Sequence, residues 1–303
     1  MQNVTVKELI DSGVHFGCPV SRWNPKMRPF IWGRRNLIHI MDLRETLRGL
    51  IRAQNFLMHV AADGHQILWV GTKRQVKGVI RNAGERTGMP IVTERWIGGT
   101  LTNFSVIRSR LRRLEELEQL DENGAMQELP KKMQSNLRRE RKKIERNLSG
   151  IREMTSIPGA VVIVDPAREH NAVREARRLG VPLVGILDTD CDPSLVDIVI
   201  PGNDDALKSV RVLIESLASA VEEGCQNRKQ VAIEGPGKGD QQGGDEPRPT
   251  RGNRPPPAGA RRRQTVHALP GLPGSATEEE IGVTPEEVAS ADLPIKRDET
   301  PAE

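Results

Sequence analysis

Five consecutive apolar residues, Ala160-Val161-Val162-Ile163-Val164, leave no polar face for water. A run this short and this β-branched is a strand buried on both sides, and such strands belong to parallel sheets covered by helices. Three more segments read the same way: Gln66-Ile67-Leu68-Trp69-Val70, Pro182-Leu183-Val184-Gly185-Ile186-Leu187 and Val196-Asp197-Ile198-Val199-Ile200-Pro201. Helices are expected after Gly71-Thr72-Lys73-Arg74 to about Arg86, over 167–179 with Gly180 as the stop, and from Asp204 and Asp205 to Glu223. Upstream, Leu37-Ile38-His39-Ile40 reads as a further short buried strand. Asp42 then caps a helix to about His59, with Leu43, Leu47, Leu50, Ile51, Leu57 and Met58 inward and Gly64 ending the unit. This alternation predicts a doubly wound, mostly parallel α/β sheet of flavodoxin or Rossmann type with right-handed crossovers.

Residues 95–154 interrupt the pattern. Arg95-Trp96-Ile97-Gly98-Gly99-Thr100-Leu101-Thr102-Asn103-Phe104 opens the insertion, its glycines reading as a relaxed hinge and Asn103 as an N-cap. The helix beyond carries Ile107, Leu111, Leu114, Leu117 and Leu120 at steps of four and three. Asp121-Glu122-Asn123-Gly124 breaks it. After Pro130 a second helix carries Met133, Leu137, Ile144, Leu148 and Ile151. Each stripe is too narrow for a globular core but suits pairing with the other. The expectation is an antiparallel coiled-coil hairpin at 103–154, inserted into an α/β domain formed by 1–102 and 155–225. Its second arm bears Lys131, Lys132, Arg138, Arg139, Arg141, Lys142, Lys143 and Arg146, with Glu140 and Glu145 between them. Such an arm is either a solvated helix face or a reach towards RNA or protein.

The net charge is +4, but it is unevenly spread. Residues 226–303 hold 11 basic and 13 acidic residues, so the first 225 hold 34 basic against 28 acidic, which fits a polyanionic partner. A second basic stretch lies near the N-terminus, after a short helix expected over 4–12 with Thr5 as cap and Val6, Leu9 and Ile10 on one face. Arg22-Trp23-Asn24-Pro25-Lys26-Met27-Arg28-Pro29-Phe30-Ile31-Trp32-Gly33-Arg34-Arg35-Asn36 has no acid and two prolines. It reads as an extended loop whose cations meet RNA phosphates, while its rings either stack on unpaired bases or anchor the core. Gly71-Thr72-Lys73-Arg74 follows a strand and precedes a helix, as phosphate-binding turns do, without a full nucleotide-binding motif; Lys73 and Arg74 could hold an RNA phosphate. The three cysteines, Cys18, Cys191 and Cys225, show neither a disulfide framework nor zinc spacing. No signal-peptide core is seen, and no apolar run approaches the ~20 residues of a membrane helix. A soluble, cytoplasmic protein is expected.

Asp165 and Asp188 lie at the carboxyl ends of expected strands, where open α/β sheets place ligands, and Asp190, Asp192, Asp204 and Asp205 are close in sequence. Such carboxylates, with His15, could hold Mg²⁺, and the alternative reading is a Mg-dependent phosphohydrolase using Asp165, Asp188 and Asp204. Against it, the same residues suit turns and helix caps, and no nucleophile stands out. From Gln226 the chain holds eleven of the 21 prolines and no aromatic residue, a composition expected to remain disordered. Arg248, Arg251, Arg254, Arg261, Arg262 and Arg263 form a basic block there, 278–303 is mostly acidic, and 278–290 could form one short helix.

Taken together, several motifs resemble bacterial small-ribosomal-subunit protein 2. They are Gly13-Val14-His15-Phe16-Gly17, Arg22-Trp23-Asn24-Pro25-Lys26-Met27, Val70-Gly71-Thr72-Lys73-Arg74, the stretch at 95–104, and Ile200-Pro201-Gly202-Asn203-Asp204-Asp205-Ala206. They occur in order over about 4–224. The resemblance implies a structural, non-catalytic constituent of the small ribosomal subunit at the head–body junction. Its partners would be small-subunit ribosomal RNA and neighbouring ribosomal proteins, including the large OB-repeat protein 1. The residues expected to meet RNA are Arg22, Lys26, Arg28, Arg34, Arg35, Lys73, Arg74, Arg95, Lys131, Lys132, Arg138 and Arg139. No cofactor is required, but the resemblance also implies a structural divalent ion, Zn or Mg, near His15, Asp188, Asp204 and Asp205. Cys18 stands where the family often has histidine, Asp190 where it often has asparagine, and Gly159 where it often has an acid. Tyrosine is absent, and the segment after Cys225 is longer than usual.

Overall fold

In the computed structural model, which describes residues 4–234 (side chains to 229), the apolar runs pair edge to edge in one sheet. The chain runs α1 (Val6–Asp11), β1 (Phe16–Pro19), β2 (Ile31–Arg35), β3 (Ile38–Met41), α2 (Leu43–Ala62), β4 (Ile67–Val70), α3 (Lys77–Thr87) and β5 (Ile91–Val92). It continues through α4 (Phe104–Glu122), α5 (Lys131–Leu148), β6 (Ala160–Val164), α6 (His170–Leu179), β7 (Leu183–Leu187), β8 (Ile198–Pro201) and α7 (Leu207–Glu234). The main sheet has the order β5-β4-β6-β7-β8, all parallel. Trp69, Val162, Val184 and Ile198 form one cross-strand row. Counted within the sheet, the strand order is 2-1-3-4-5, with its reversal between β4 and β6, the flavodoxin-like arrangement.

Each strand sends alternate side chains to opposite faces, and both faces are covered. Ile67, Trp69, Val162, Val184 and Ile186 pack with Leu50 and Leu57 of α2, Ile80 of α3 and Leu213 and Leu217 of α7. Leu68, Val70, Val161, Ile163 and Leu183 pack on the other face with Val173 of α6. Ile107, Leu111 and Leu114 of α4 and Ile144 and Leu148 of α5 belong to that same second core. The apolar stripes of the insertion therefore do more than pair the two helices: their basal halves complete the domain. Farther out, Leu117 and Met126 are fully buried, and Arg113 pairs with Glu140 across the two helices at 3.6 Å.

Several expected details differ. The segment 22–36 is not an extended loop: Pro25–Phe30 is a 3-10 turn capped by Asn24, and β2 follows it. The expected strand at 37–40 is β3, but it joins a separate antiparallel sheet, β1-β3-β2, where a bulge on each side breaks the register. Asn36 and Leu37 both have positive φ in the tight β2–β3 turn, which throws the Leu37 side chain into solvent. In α1 only Leu9 is buried; Val6 and Ile10 are half exposed, as are Ile51 of α2 and Met133 of α5. Asn103 makes no side-chain cap to the backbone, because its Oδ1 accepts instead from the Ser105 hydroxyl at 3.4 Å. Asp204 and Asp205 do not cap α7: Asn203 Oδ1 accepts from the amides of Asp205 and Ala206, both at 3.0 Å. The last helix passes the expected boundary at Gln226 and runs to Glu234. The arginine block and the possible helix at 278–290 lie outside the described residues.

Candidate nucleic-acid interface

One face of α5 carries Lys131, Gln134, Ser135, Arg138, Arg139 and Lys142, which line an open groove of about 480 Å³. Helical periodicity puts them there: 131, 135, 138, 139 and 142 fall on one side of a 3.6-residue repeat, opposite Ile144 and Leu148. Lys131, Lys132, Arg138, Arg139, Lys142 and Lys143 are all exposed, and none has an ion-pair partner among the described residues. Arg141 differs, since it pairs with Asp121 of the first arm. A row of unneutralised cations on one helix face attracts a polyanion and gains by releasing its counterions.

The basic-aromatic segment divides by environment. Arg22, Arg28, Arg34 and Arg35 are exposed, whereas Lys26 Nζ lies 2.6 Å from Asp192 and 3.1 Å from the Ser194 hydroxyl. Trp32 is 71 % exposed and free to stack. Trp23 instead tilts against His39 with ring centroids 5.1 Å apart, and Phe30 packs on the second core. The two readings of the aromatics therefore hold for different residues. Arg74 and Arg95 are exposed.

Lys73 departs from the expected RNA contact. Its ammonium is not presented to a phosphate: it lies 2.7 Å from Asp165, 2.8 Å from Asp204 and 2.7 Å from Asp205, on a side chain only 13 % exposed. Burial lowers its pKa, but the Asp204 charge and the three carboxylate bonds outweigh that and hold the group protonated. Asp204 is pushed up to about 8, because burial and the Asp165 charge exceed the pull of Lys73. The crevice at the strand-order reversal, where such sheets take ligands, is thus occupied by the protein's own cation.

The expected metal set does not gather. Among the described residues, the three donors that approach one another within 4.8 Å are Asp165, Cys191 and Asp204, and Lys73 already supplies a positive charge to both carboxylates. Asp188 accepts from the Cys18 amide at 2.9 Å and from the Thr189 amide at 2.5 Å, while Asp205 turns to Lys73. His15 lies tilted against Phe16 and its Nδ1 is buried without a partner among the described residues. Of the four residues expected near an ion, only Asp204 belongs to that close group of donors. Asp165 also accepts from the Arg168 amide at 3.0 Å, which starts the turn before α6. These contacts tie strand ends together, and the phosphohydrolase reading is not supported.

The stretch 95–104 holds a residue that motif reading passes over. Trp96, Gly99, Leu101 and Thr102 all donate to one carboxylate, that of Glu175 on α6. The signal was present: Glu175 sits beside Ala176 and three residues after Ala172, on the apolar face of its helix. The expected glycine hinge is in fact held fast.

Residues 9–224 match the family model described as ribosomal protein S2. The chain is 56% identical over 221 residues to a protein of Rhodopirellula baltica, strain DSM 10527 / NCIMB 13988 / SH1, described as small ribosomal subunit protein uS2. The match covers 73% of this chain and 85% of that relative.

Proposed function

The chain belongs to the ribosomal protein S2 family, and from that membership we propose how its surface serves the ribosome. It is a structural constituent of the small ribosomal subunit, cytoplasmic and ribosome-bound, in a family without catalytic activity. No helix among the described residues is long and apolar enough to cross a membrane. The α/β domain is a rigid platform, and α4 with α5 forms a coiled-coil arm that carries cations to small-subunit ribosomal RNA. The observation that carries this reading is the row of exposed, unpaired Lys131, Lys132, Arg138, Arg139, Lys142 and Lys143 on α5. Arg22, Arg28, Arg34, Arg35, Arg74 and Arg95 supply further phosphate contacts, and Trp32 a stacking surface. The binding is electrostatic and positional, so it weakens steeply with salt. The head–body junction as its location, and the OB-repeat protein 1 as its neighbour, are part of this reading.

Crosslinking in cells followed by sequencing of bound RNA tests it. The expected result is small-subunit ribosomal RNA joined to peptides from 131–143 and 22–35. Crosslinks confined to other parts of the chain, or to other RNAs, would refute it.

A further inference from the structure

We infer that Glu175 is the positioning residue that aims the α4–α5 arm. Its carboxylate receives five bonds from four residues within the seven-residue stretch 96–102. Oε1 accepts from the Trp96 indole N–H at 3.0 Å and the Gly99 amide at 2.8 Å. Oε2 accepts from the amides of Leu101 and Thr102 at 3.0 and 3.1 Å and from the Thr102 hydroxyl at 3.2 Å. Gly99 reaches its place with φ +90, in the left-handed region open to glycine, and Thr100 locks the turn by donating to the Ile97 carbonyl at 2.6 Å. Glu175 is itself 9 % exposed, so an orphaned charge there would be costly and the donor cage is what keeps it ionised.

The arm starts immediately afterwards. α4 begins at Phe104, two residues beyond the last donor. The other root is fastened nearby: Arg108 Nη1 donates to the carbonyls of Arg152 and Met154 at 3.3 and 3.2 Å. The 19 residues of α4 make a lever of about 28 Å, so a tilt of roughly 10° at its root moves its far end by about 5 Å. Together with the packing of Ile107, Leu111 and Leu114 in the second core, the Glu175 side chain of the α/β domain thereby fixes where the distant cations point. This geometric role stands without reference to a ligand; its effect on assembly rests on the proposed RNA-facing role of α5.

The test uses the full chain with Cys18→Ser and Cys225→Ser, spin-labelled at Glu85→Cys on α3 and Glu122→Cys at the end of α4. Glu175→Gln keeps the shape but gives one pair of donors an amide N–H₂ in place of an oxygen. The expected result is a label-to-label distance distribution broadened or shifted by several ångström, with cooperative melting retained and small-subunit incorporation reduced several-fold. Trp96→Phe removes a single donor while keeping the ring in the core, and it carries the same test if Glu175→Gln does not fold. A distribution coincident with that of the unsubstituted chain in the folded variant would overturn the inference. A broadened distribution with unchanged incorporation would support the aiming role and overturn the RNA-facing role of α5.

Discussion

Lys73 Nζ stands 2.8 Å from Asp204 Oδ1, joining the exit of β4 to the turn after β8 across the point where the strand order reverses. Asp165, at the end of β6, completes the knot at 2.7 Å. Removing one partner from a buried ionic cluster leaves unpaired charge. Lys73→Met is therefore expected to destabilise the fold by about 3 kcal/mol at neutral pH, as measured by denaturant unfolding. Because its ammonium faces inward, the salt dependence of RNA binding by the folded variant should match that of the unsubstituted chain.

The Glu175 carboxyl provides an acid-side signature. Burial pushes its pKa up, but the bonds from Trp96, Gly99, Leu101 and Thr102 outweigh burial and hold it below the ordinary 4.5. A depressed folded-state value contributes stability that is present above the unfolded value and lost as pH falls through the folded one. The stability advantage of the unsubstituted chain over Glu175→Gln should be full above about pH 5 and shrink steadily in more acid solution. Thermal melts of both proteins over pH 3–7 would show it, and a pH-independent difference would contradict it.

Helix α2 lies against the last strand of the sheet without room for a side chain at Gly49, where an added Cβ would sit 2.2 Å from the Val199 carbonyl oxygen. Gly49→Ala must push helix from strand. Despite the better helix propensity of alanine, a net loss of about 1–3 kcal/mol is expected in chemical unfolding.

The two tryptophans of the basic-aromatic segment should separate cleanly. Trp32 is exposed, and Trp23 is packed against His39. Trp32→Ala is expected to weaken binding to single-stranded RNA by about 1–3 kcal/mol and leave the melting temperature unchanged. Trp23→Ala should lower the melting temperature.

The main sheet was legible because its strands are uninterrupted apolar runs, as in Ala160–Val164, and only a sheet covered on both faces buries such runs. The small β1-β3-β2 sheet was not, since its strands are short, half exposed and broken by bulges. The change in composition at Gln226 does not end α7, which continues to Glu234. Residues 226–234 contain neither glycine nor proline, and the first breakers are Gly235 and Pro236. At the interface, the shared face of the α5 cations followed from helical spacing, whereas their freedom from Glu140 and Glu145 did not. The engagement of Lys73 did not, because its three carboxylates arrive from 92, 131 and 132 residues away and sequence spacing carries no trace of that meeting. Glu175 on the apolar face of its helix was a visible signal, but its donors, lying 73 to 79 residues distant, were not.

In the proposed function the cations of α5 hold the protein to ribosomal RNA. The most direct test is sedimentation of small subunits assembled with the Lys131→Glu, Lys132→Glu, Arg138→Glu, Arg139→Glu protein. These four side chains are exposed and unpaired among the described residues, so the fold should be preserved. The account predicts that at low salt most of the variant remains at the top of the gradient while the unsubstituted chain travels with the subunit, the gap narrowing as salt is raised because the unsubstituted chain has more phosphate contacts to lose. Co-sedimentation of the variant at the unsubstituted level across that salt range would contradict it.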